Sequence, residues 1–214
     1  MNDLKTGPQS NPPAGPGRQG GTTVLGLTGS IGMGKSTTAE LFRQEGAAVF
    51  DADAAVHELY SGPAVSPVAA RFPDALRDAT IDREALARLV VGDQQALSDL
   101  EAIIHPLVRQ AELDFIAQHK SQGTEFVVLD IPLLFESNGD EVCDKTVVVS
   151  APARVQQTRV LARKGMTKAR FDQLLSRQMS DAEKRARADF IVSTDKGLKD
   201  AKRQVLDILS QLRK

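Results

Sequence analysis

The chain has 214 residues, enough for one α/β domain with an insertion, and its 27 basic and 28 acidic residues give a net charge of −1. This balance gives no reason to expect nucleic acid or an anionic membrane as a general partner. A single cysteine excludes an intrachain disulfide, and no apolar run is long enough to cross a bilayer, so we expect a cytoplasmic protein.

Residues 1–21 form a first segment that is rich in glycine and proline. They hold five Gly and four Pro, and Met1 and Leu4 are their only large apolar residues. Such a composition buries too little apolar surface to offset the entropy lost on ordering. We predict a disordered N-terminal tail over residues 1–21 without a function of its own, followed by one folded domain over residues 22–214.

The folded part begins with a short apolar strand and a glycine-rich loop. Val24 to Thr28 has the length of a strand, and Gly29 to Ser36, GSIGMGKS, matches the pattern G-x-x-x-x-G-K-[ST]. Such a loop directs backbone N–H groups at a polyphosphate, which indicates a nucleoside triphosphate site, although a plain strand-to-helix turn is the alternative. Lys35 would reach the β- and γ-phosphates, and the Ser36 hydroxyl would bind Mg²⁺. The predicted nucleotide-binding residues are Gly32, Met33, Gly34, Lys35, Ser36 and Thr37.

Two carboxylates follow the second predicted strand, Ala47 to Phe50. Asp51 and Asp53 stand at its carboxyl end, where ligands gather in open α/β sheets, so both should face the phosphate loop. One of them would accept a proton from a substrate hydroxyl or contact Mg²⁺ while the other caps the next helix. The alternative is that both only cap and turn the chain.

Residues 62–122 predict a helical insertion, because apolar residues recur there at three- and four-residue spacing. In a phosphotransferase such an insertion commonly holds the acceptor. Pro106 lacks an N–H and restrains the residue before it, so we expect His105 at a helix junction facing a cleft. A histidine with a purely structural role is the alternative.

The third predicted strand, Phe126 to Ile131, contains an acid near its end. Asp130 resembles the acid of a Walker B strand and would hold a magnesium-bound water, or it is an ordinary turn former. The residues Leu133 and Leu134 behind it predict an apolar wall. Val147 to Val149 follow as a fourth, β-branched strand.

Residues 154–187 carry ten basic residues against three acidic ones, within a chain that is neutral overall. This excess of one sign predicts a helical lid that closes over polyphosphate and excludes water. A solvated helical face is the alternative. Phe190 to Val192 predict a fifth strand, and Leu198 to Leu212 a closing helix.

These motifs together resemble the dephospho-CoA kinases, a family of P-loop kinases. The matching pieces are GSIGMGKS, Asp51-Ala52-Asp53, Ile104-His105-Pro106, Pro132-Leu133-Leu134-Phe135-Glu136 and the lid residues Arg159, Arg163 and Gln178. The resemblance implies an α/β P-loop NTPase fold in three layers, with a mostly parallel five-stranded sheet, a helical substrate-binding insertion and a helical lid.

The resemblance also implies a reaction: transfer of the γ-phosphate of ATP to the ribose 3′-hydroxyl of dephospho-CoA, giving coenzyme A and ADP with Mg²⁺ as cofactor. By this analogy Asp51 is the general base, and Lys35 and Arg163 hold the phosphates. The implied acceptor-binding residues are Asp53, His105, Leu133 and Leu134. We expect a monomer or a weak homo-oligomer.

Two positions depart from the family pattern. The chain reads Ser193 to Gly197 after the last strand, where the family often has an asparagine near the adenine. Met33 stands where a small residue is usual, and we expect little consequence because this position offers mainly its backbone.

Two other functions are alternatives to a dephospho-CoA kinase. One is another P-loop nucleotide or small-molecule kinase. The other is a regulatory nucleotide switch, but the guanine-reading motif N-K-x-D expected of a guanine-specific switch is absent from the sequence.

Overall fold

The computed structural model describes residues 21–214. The predicted disordered tail, residues 1–21, therefore lies outside the described residues except for Gly21. Within the described part, no helix combines the length and the apolar character that are needed to cross a membrane.

The core of the molecule is a parallel sheet of five strands, and a separate two-stranded hairpin lies in the insertion. In chain order the strands are β1 (Thr23–Thr28), β2 (Ala48–Asp51), β3 (Leu76–Arg77), β4 (Thr80–Ile81), β5 (Phe126–Asp130), β6 (Lys145–Ser150) and β7 (Phe190–Ser193). The sheet order is β2-β5-β1-β6-β7, and each neighbouring pair in it is parallel. The predicted five-stranded α/β fold is confirmed.

Helices cover both faces of this sheet. Within residues 21–214 they are α1 (Lys35–Gln44), α2 (Ala52–Leu59), α3 (Val65–Arg71), α4 (Arg83–Val90), α5 (Gln94–Ser121), α6 (Ala153–Leu161), α7 (Lys168–Leu175), α8 (Asp181–Arg187) and α9 (Leu198–Leu212). Helices α1 and α9 pack on one face around Leu25 and Val149, and α5 packs on the other around Val127 and Leu129. Burial on both faces explains why the strands read as continuous apolar runs in the sequence.

The insertion has a hydrophobic core of its own. Tyr60, Val68, Phe72 and Leu86 pack there with the first half of α5. The β3–β4 hairpin at its edge was not predicted, because strands of two residues leave no periodic pattern to recognise. Its turn places Asp78 and Ala79 at positive φ, 43° and 60°, in the left-handed region.

Helix α5 runs without interruption for 28 residues and has Pro106 inside it. The predicted helix junction at His105 is therefore wrong. Residues before the proline, such as Leu100, pack in the insertion core, and Ile116 after it packs against the sheet. Packing at both ends stabilises one continuous helix and offsets the hydrogen bond that proline cannot make.

Candidate active site

The phosphate loop connects β1 to α1 in a tightly enclosed path. Gly32 and Gly34 have φ values of 81° and 99°, which L side chains rarely adopt. A β-carbon at Gly32 would lie 2.4 Å from Val160 Cγ2 on α6, so this position also requires the absence of a side chain. Helix α1 begins at Lys35 directly after the loop, and its free N–H groups at this end suit an anion.

Side chains from distant parts of the chain hold the loop in place. The Ile31 N–H donates to Gln178 Oε1 at 3.2 Å, and Gln156 Nε2 donates to the Ile31 carbonyl at 2.9 Å. The Thr194 hydroxyl donates to the Met33 carbonyl at 2.6 Å. Both backbone polar groups of Ile31 are thus held by residues of the predicted lid, and sequence reasoning gave neither Gln156 nor Thr194 a role.

Thr194 lies in the segment after β7 where the sequence departs from the family pattern. Arg159, on α6, donates at 2.8 Å to the Thr194 hydroxyl and also at 2.8 Å to its carbonyl. Thr194 therefore connects three segments: the phosphate loop, the first lid helix and the end of β7.

The side chain of Met33 packs in the hydrophobic core beside the phosphate loop. It is 2% exposed and lies in the core between α1 and the sheet. Its sulfur accepts a hydrogen bond from the Ala151 N–H at 3.1 Å. The expectation that this position offers mainly its backbone overlooked this packing.

Three charged residues meet at the carboxyl ends of β2 and β5. Asp51 is paired in register with Asp130, and Lys35 Nζ lies 2.7 Å from Asp130 Oδ1. Burial raises the pKa of Asp130, the Lys35 ammonium opposes this rise, and the charges of Asp51 and Asp53 add to it. The lysine of the phosphate loop and the two strand-end acids thus form one cluster.

The structure assigns the cap of α2 to Asp51 rather than to Asp53. Asp51 Oδ1 accepts a hydrogen bond from the Ala54 N–H at 3.0 Å, and Asp53 lies exposed in the first turn of the helix. The cap uses one carboxylate oxygen of Asp51, and the side chain as a whole is exposed to solvent. Asp51 can therefore cap the helix and also contact a bound substrate.

The oxygen ligands at this site fit Mg²⁺. Ser36 is exposed in the first turn of α1. It directly follows Lys35, whose ammonium group contacts Asp130. Among residues 21–214 no group of three or more His, Cys, Asp or Glu is arranged to hold a metal ion. Mg²⁺ commonly takes few protein oxygens and completes its shell with phosphates and water, so Ser36 could hold it beside a bound nucleotide.

The residues predicted for the acceptor are not all placed to contact one. His105 is exposed on α5, and Leu133 is 41% exposed. Leu134 is fully buried, and a β-carbon added at Gly26 of β1 would meet its Cδ2 at 2.7 Å. The predicted apolar wall is therefore wrong for Leu134, whose side chain fills the space that Gly26 leaves in the core.

Glu136 is a residue to which sequence reasoning gave no role. It accepts hydrogen bonds from the Met179 N–H at 2.8 Å and forms an ion pair with Lys184 at 2.9 Å. Lys184 is fully buried and also donates to the Pro132 carbonyl at 3.2 Å. One of the ten basic residues of the predicted lid thus belongs to an internal ion pair, which attaches α8 to the segment that follows β5.

Arg163 lies exposed in the turn between α6 and α7. Its backbone N–H donates to the Val160 carbonyl at 3.1 Å. Contact between its guanidinium and bound phosphates stays a prediction.

Comparison with known proteins identifies the family. A family model described as dephospho-CoA kinase matches residues 23–200. The chain belongs to the dephospho-CoA kinase family. The dephospho-CoA kinase of Mesorhizobium japonicum is 53% identical over 190 residues, which are 89% of this chain and 96% of that protein. The dephospho-CoA kinase of Rhizobium etli is 49% identical over 189 residues, 88% of this chain and 93% of that protein.

Solved structures agree with the fold described above. The protein TT1252 from Thermus thermophilus has a TM-score of 0.78 at 34% identity, covering 90% of this chain and 99% of its own. The dephospho-CoA kinase from Campylobacter jejuni has a TM-score of 0.64 at 23% identity, covering 89% of this chain and 97% of its own. The second match supports the fold of the dephospho-CoA kinases in this chain.

Proposed function

We propose that this protein transfers the γ-phosphate of ATP to the ribose 3′-hydroxyl of dephospho-CoA, giving coenzyme A and ADP. The observation that carries the proposal is the cluster of Lys35, Asp130 and Asp51. It places a carboxylate beside the lysine of a phosphate loop, within a chain of the dephospho-CoA kinase family. A phosphate-binding lysine and a neighbouring base are what transfer to an alcohol requires.

The nucleotide would be bound by the phosphate loop and the first turn of α1. Backbone N–H groups of Gly32 to Thr37 surround the phosphates, and Lys35 exchanges its ion pair with Asp130 for the β- and γ-phosphates. Ser36 would hold Mg²⁺, which when bound neutralises charge on the phosphates. Arg163 would join the phosphates when the lid closes, and closure would exclude water.

The acceptor would lie between the insertion and the strand-end acids. Asp51 is the proposed general base, since it is exposed at the end of β2 and paired in register with Asp130, which contacts Lys35. Asp53, His105 and Leu133 are all exposed and are proposed to contact the acceptor. Most of the rate enhancement would come from positioning the hydroxyl in line with the leaving oxygen and from stabilising charge.

The near-neutral charge of the chain and a small-metabolite acceptor support action in the cytoplasm, without nucleic acid or membrane as partners. We propose a monomer or a weak homo-oligomer.

The experiment that tests this function is an ADP-release assay with ATP and Mg²⁺, in which the acceptor is varied. We expect release that depends on dephospho-CoA, and a product that carries a new 3′-phosphate by mass spectrometry. Release with a nucleoside monophosphate or pantothenate as the better acceptor would instead indicate another P-loop kinase. Release that needs no acceptor would contradict a kinase function.

A further inference from the structure

The backbone N–H groups of the phosphate loop are used in an alternating pattern. The Ile31 N–H donates to Gln178 Oε1 at 3.2 Å, and the Met33 N–H donates to a carbonyl earlier in the loop at 3.1 Å. The N–H groups of Gly32 and Gly34 make no hydrogen bond within residues 21–214. Because half-buried N–H groups ordinarily have an acceptor, these two are available to a ligand.

The peptide group between Ile31 and Gly32 is oriented from outside the loop. Gln156 Nε2, on α6, donates to the Ile31 carbonyl at 2.9 Å. A trans peptide group is planar, and its C=O and N–H point in opposite directions, so the Gly32 N–H points away from α6. Val160 of the same helix lies so close that a β-carbon at Gly32 would be 2.4 Å from its Cγ2. Helix α6 thus closes one side of the loop, and the Gly32 N–H faces the other.

The peptide group between Met33 and Gly34 is oriented in the same way by Thr194. The Thr194 hydroxyl accepts a hydrogen bond from Arg159 at 2.8 Å and donates to the Met33 carbonyl at 2.6 Å. A guanidinium group can only donate, so the hydroxyl hydrogen is left for the Met33 carbonyl. The Gly34 N–H therefore points away from Thr194.

Both oriented peptide groups precede a glycine with positive φ, 81° at Gly32 and 99° at Gly34. Only glycine adopts such values at little cost, and its flexible backbone has many other conformations available. The hydrogen bonds from Gln156 and Thr194 select one of these conformations. Donors that are oriented in advance stabilise charge without a rearrangement of the protein at the moment of reaction.

We propose that Gln156 and Thr194 are positioning residues, which aim the Gly32 and Gly34 N–H groups at the phosphates of the nucleotide. They act through the backbone of the loop and not by contact with the phosphates. This inference rests on the proposed function in one respect, namely that the phosphate loop binds ATP. The two side chains lie 125 and 161 residues along the chain from the carbonyls that they hold, outside the G-x-x-x-x-G-K-[ST] pattern.

The test measures the Kd of ATP and the Kd of inorganic tripolyphosphate, each with Mg²⁺, by isothermal titration calorimetry. Tripolyphosphate has no base, so its binding reports on the loop and not on contacts with adenine. For T194V we expect both Kd values to rise about 10-fold, as for the loss of one charge-assisted hydrogen bond. T194S keeps the hydroxyl and should bind both ligands within about 2-fold of the unmodified protein.

The matched control for T194V is T158V. It removes a threonine hydroxyl that donates to the Arg154 carbonyl within α6 and does not contact the loop. Both Kd values should therefore stay unchanged in T158V.

Gln156 has its own variant, Q156M, which keeps the length of the side chain and removes the donor. We expect both Kd values to rise about 10-fold, whereas KM for dephospho-CoA should stay within about 2-fold, because the acceptor does not use these N–H groups. Circular dichroism at the assay temperature verifies that each variant is folded.

Three results would overturn the inference. They are a loss of affinity for ATP but not for tripolyphosphate, a T194S protein that binds as weakly as T194V, and unchanged binding in T194V or Q156M. The binding measurements need no acceptor. A protein that binds both ligands but does not phosphorylate dephospho-CoA would therefore contradict the proposed function and leave this inference intact.

Discussion

Asp51 caps α2 and is also the proposed general base, and one substitution can separate these two roles. Asparagine caps helices about as well as aspartate but is not a base, so D51N should keep the cap of α2 and lose proton acceptance. We expect kcat to fall about 100-fold or more, with KM for ATP and the free energy of unfolding nearly unchanged. Steady-state kinetics and urea unfolding measure both quantities.

The control is D51A, which also removes the cap and should cost about 1 kcal/mol of stability in addition to the activity. A D51N protein with nearly full turnover and normal acceptor binding would exclude Asp51 as the base, and D53N would then be the next variant to measure.

Cys143, the only cysteine, should be unreactive in the folded protein. Burial raises the pKa of its thiol to about 12, and the charges of Asp140 and Glu112 add to the effect. Since the thiolate is the reactive form, we expect Ellman's reagent at pH 8 to label the folded chain far more slowly than the chain in urea. Equally fast labelling in both states would show that the thiol is accessible and ionised.

At the scale of elements, the ion pair of Glu136 and Lys184 attaches α8 to the segment that follows β5. E136A would leave the ammonium of a fully buried lysine without its counter-charge, so we expect a loss of about 3–5 kcal/mol in the free energy of unfolding. The double variant E136A/K184M should recover most of this loss, because it removes the buried charge as well. Urea unfolding measures the difference.

An exposed ion pair provides the comparison for this experiment. R71A breaks the pair of Arg71 and Asp99 at the surface of the insertion and should cost less than about 1 kcal/mol. If E136A cost no more than R71A, the buried pair would not be what attaches α8.

How well each element could be predicted depended on the length of its pattern. The strands of the sheet and the long helices gave apolar runs or helical spacing that a single sequence reveals. The β3–β4 hairpin was too short for any period. The course of α5 through Pro106 was decided by packing on both sides of the proline, which local chemistry does not show.

The predictability of the site followed a similar division. Lys35, Ser36 and Asp51 belong to motifs in which a few consecutive residues define the chemistry. Gln156 and Thr194 contact the phosphate loop from 125 and 161 residues away, so only the fold brings them there. The burial of Leu134 could not be read from its neighbours, because it fills the space left by a glycine on another strand.

At the scale of the whole molecule, helix α5 connects two hydrophobic cores, because its first half packs in the insertion and its second half on the sheet. We therefore expect the insertion and the sheet to unfold together. The chain has one tyrosine and no tryptophan, and Tyr60 is buried in the insertion core, so intrinsic fluorescence reports on the insertion alone. Circular dichroism in the far ultraviolet reports on all helices.

In urea the two signals should give the same midpoint and the same slope, as for a two-state transition. An earlier midpoint by fluorescence would show instead that the insertion unfolds independently of the sheet.

Ile31 is a suitable position for a fluorescent label in the phosphate loop. Both of its backbone polar groups are held by Gln156 and Gln178, so the contacts that position it do not involve its side chain. Residues other than proline can supply the same N–H and carbonyl. Because partial burial raises the pKa of the native thiol at Cys143 to about 12, I31C would give one selectively labelled site in the loop. A fluorophore attached there would report the arrival of nucleotide in real time, in the same loop as Lys35, the residue proposed to bind its phosphates.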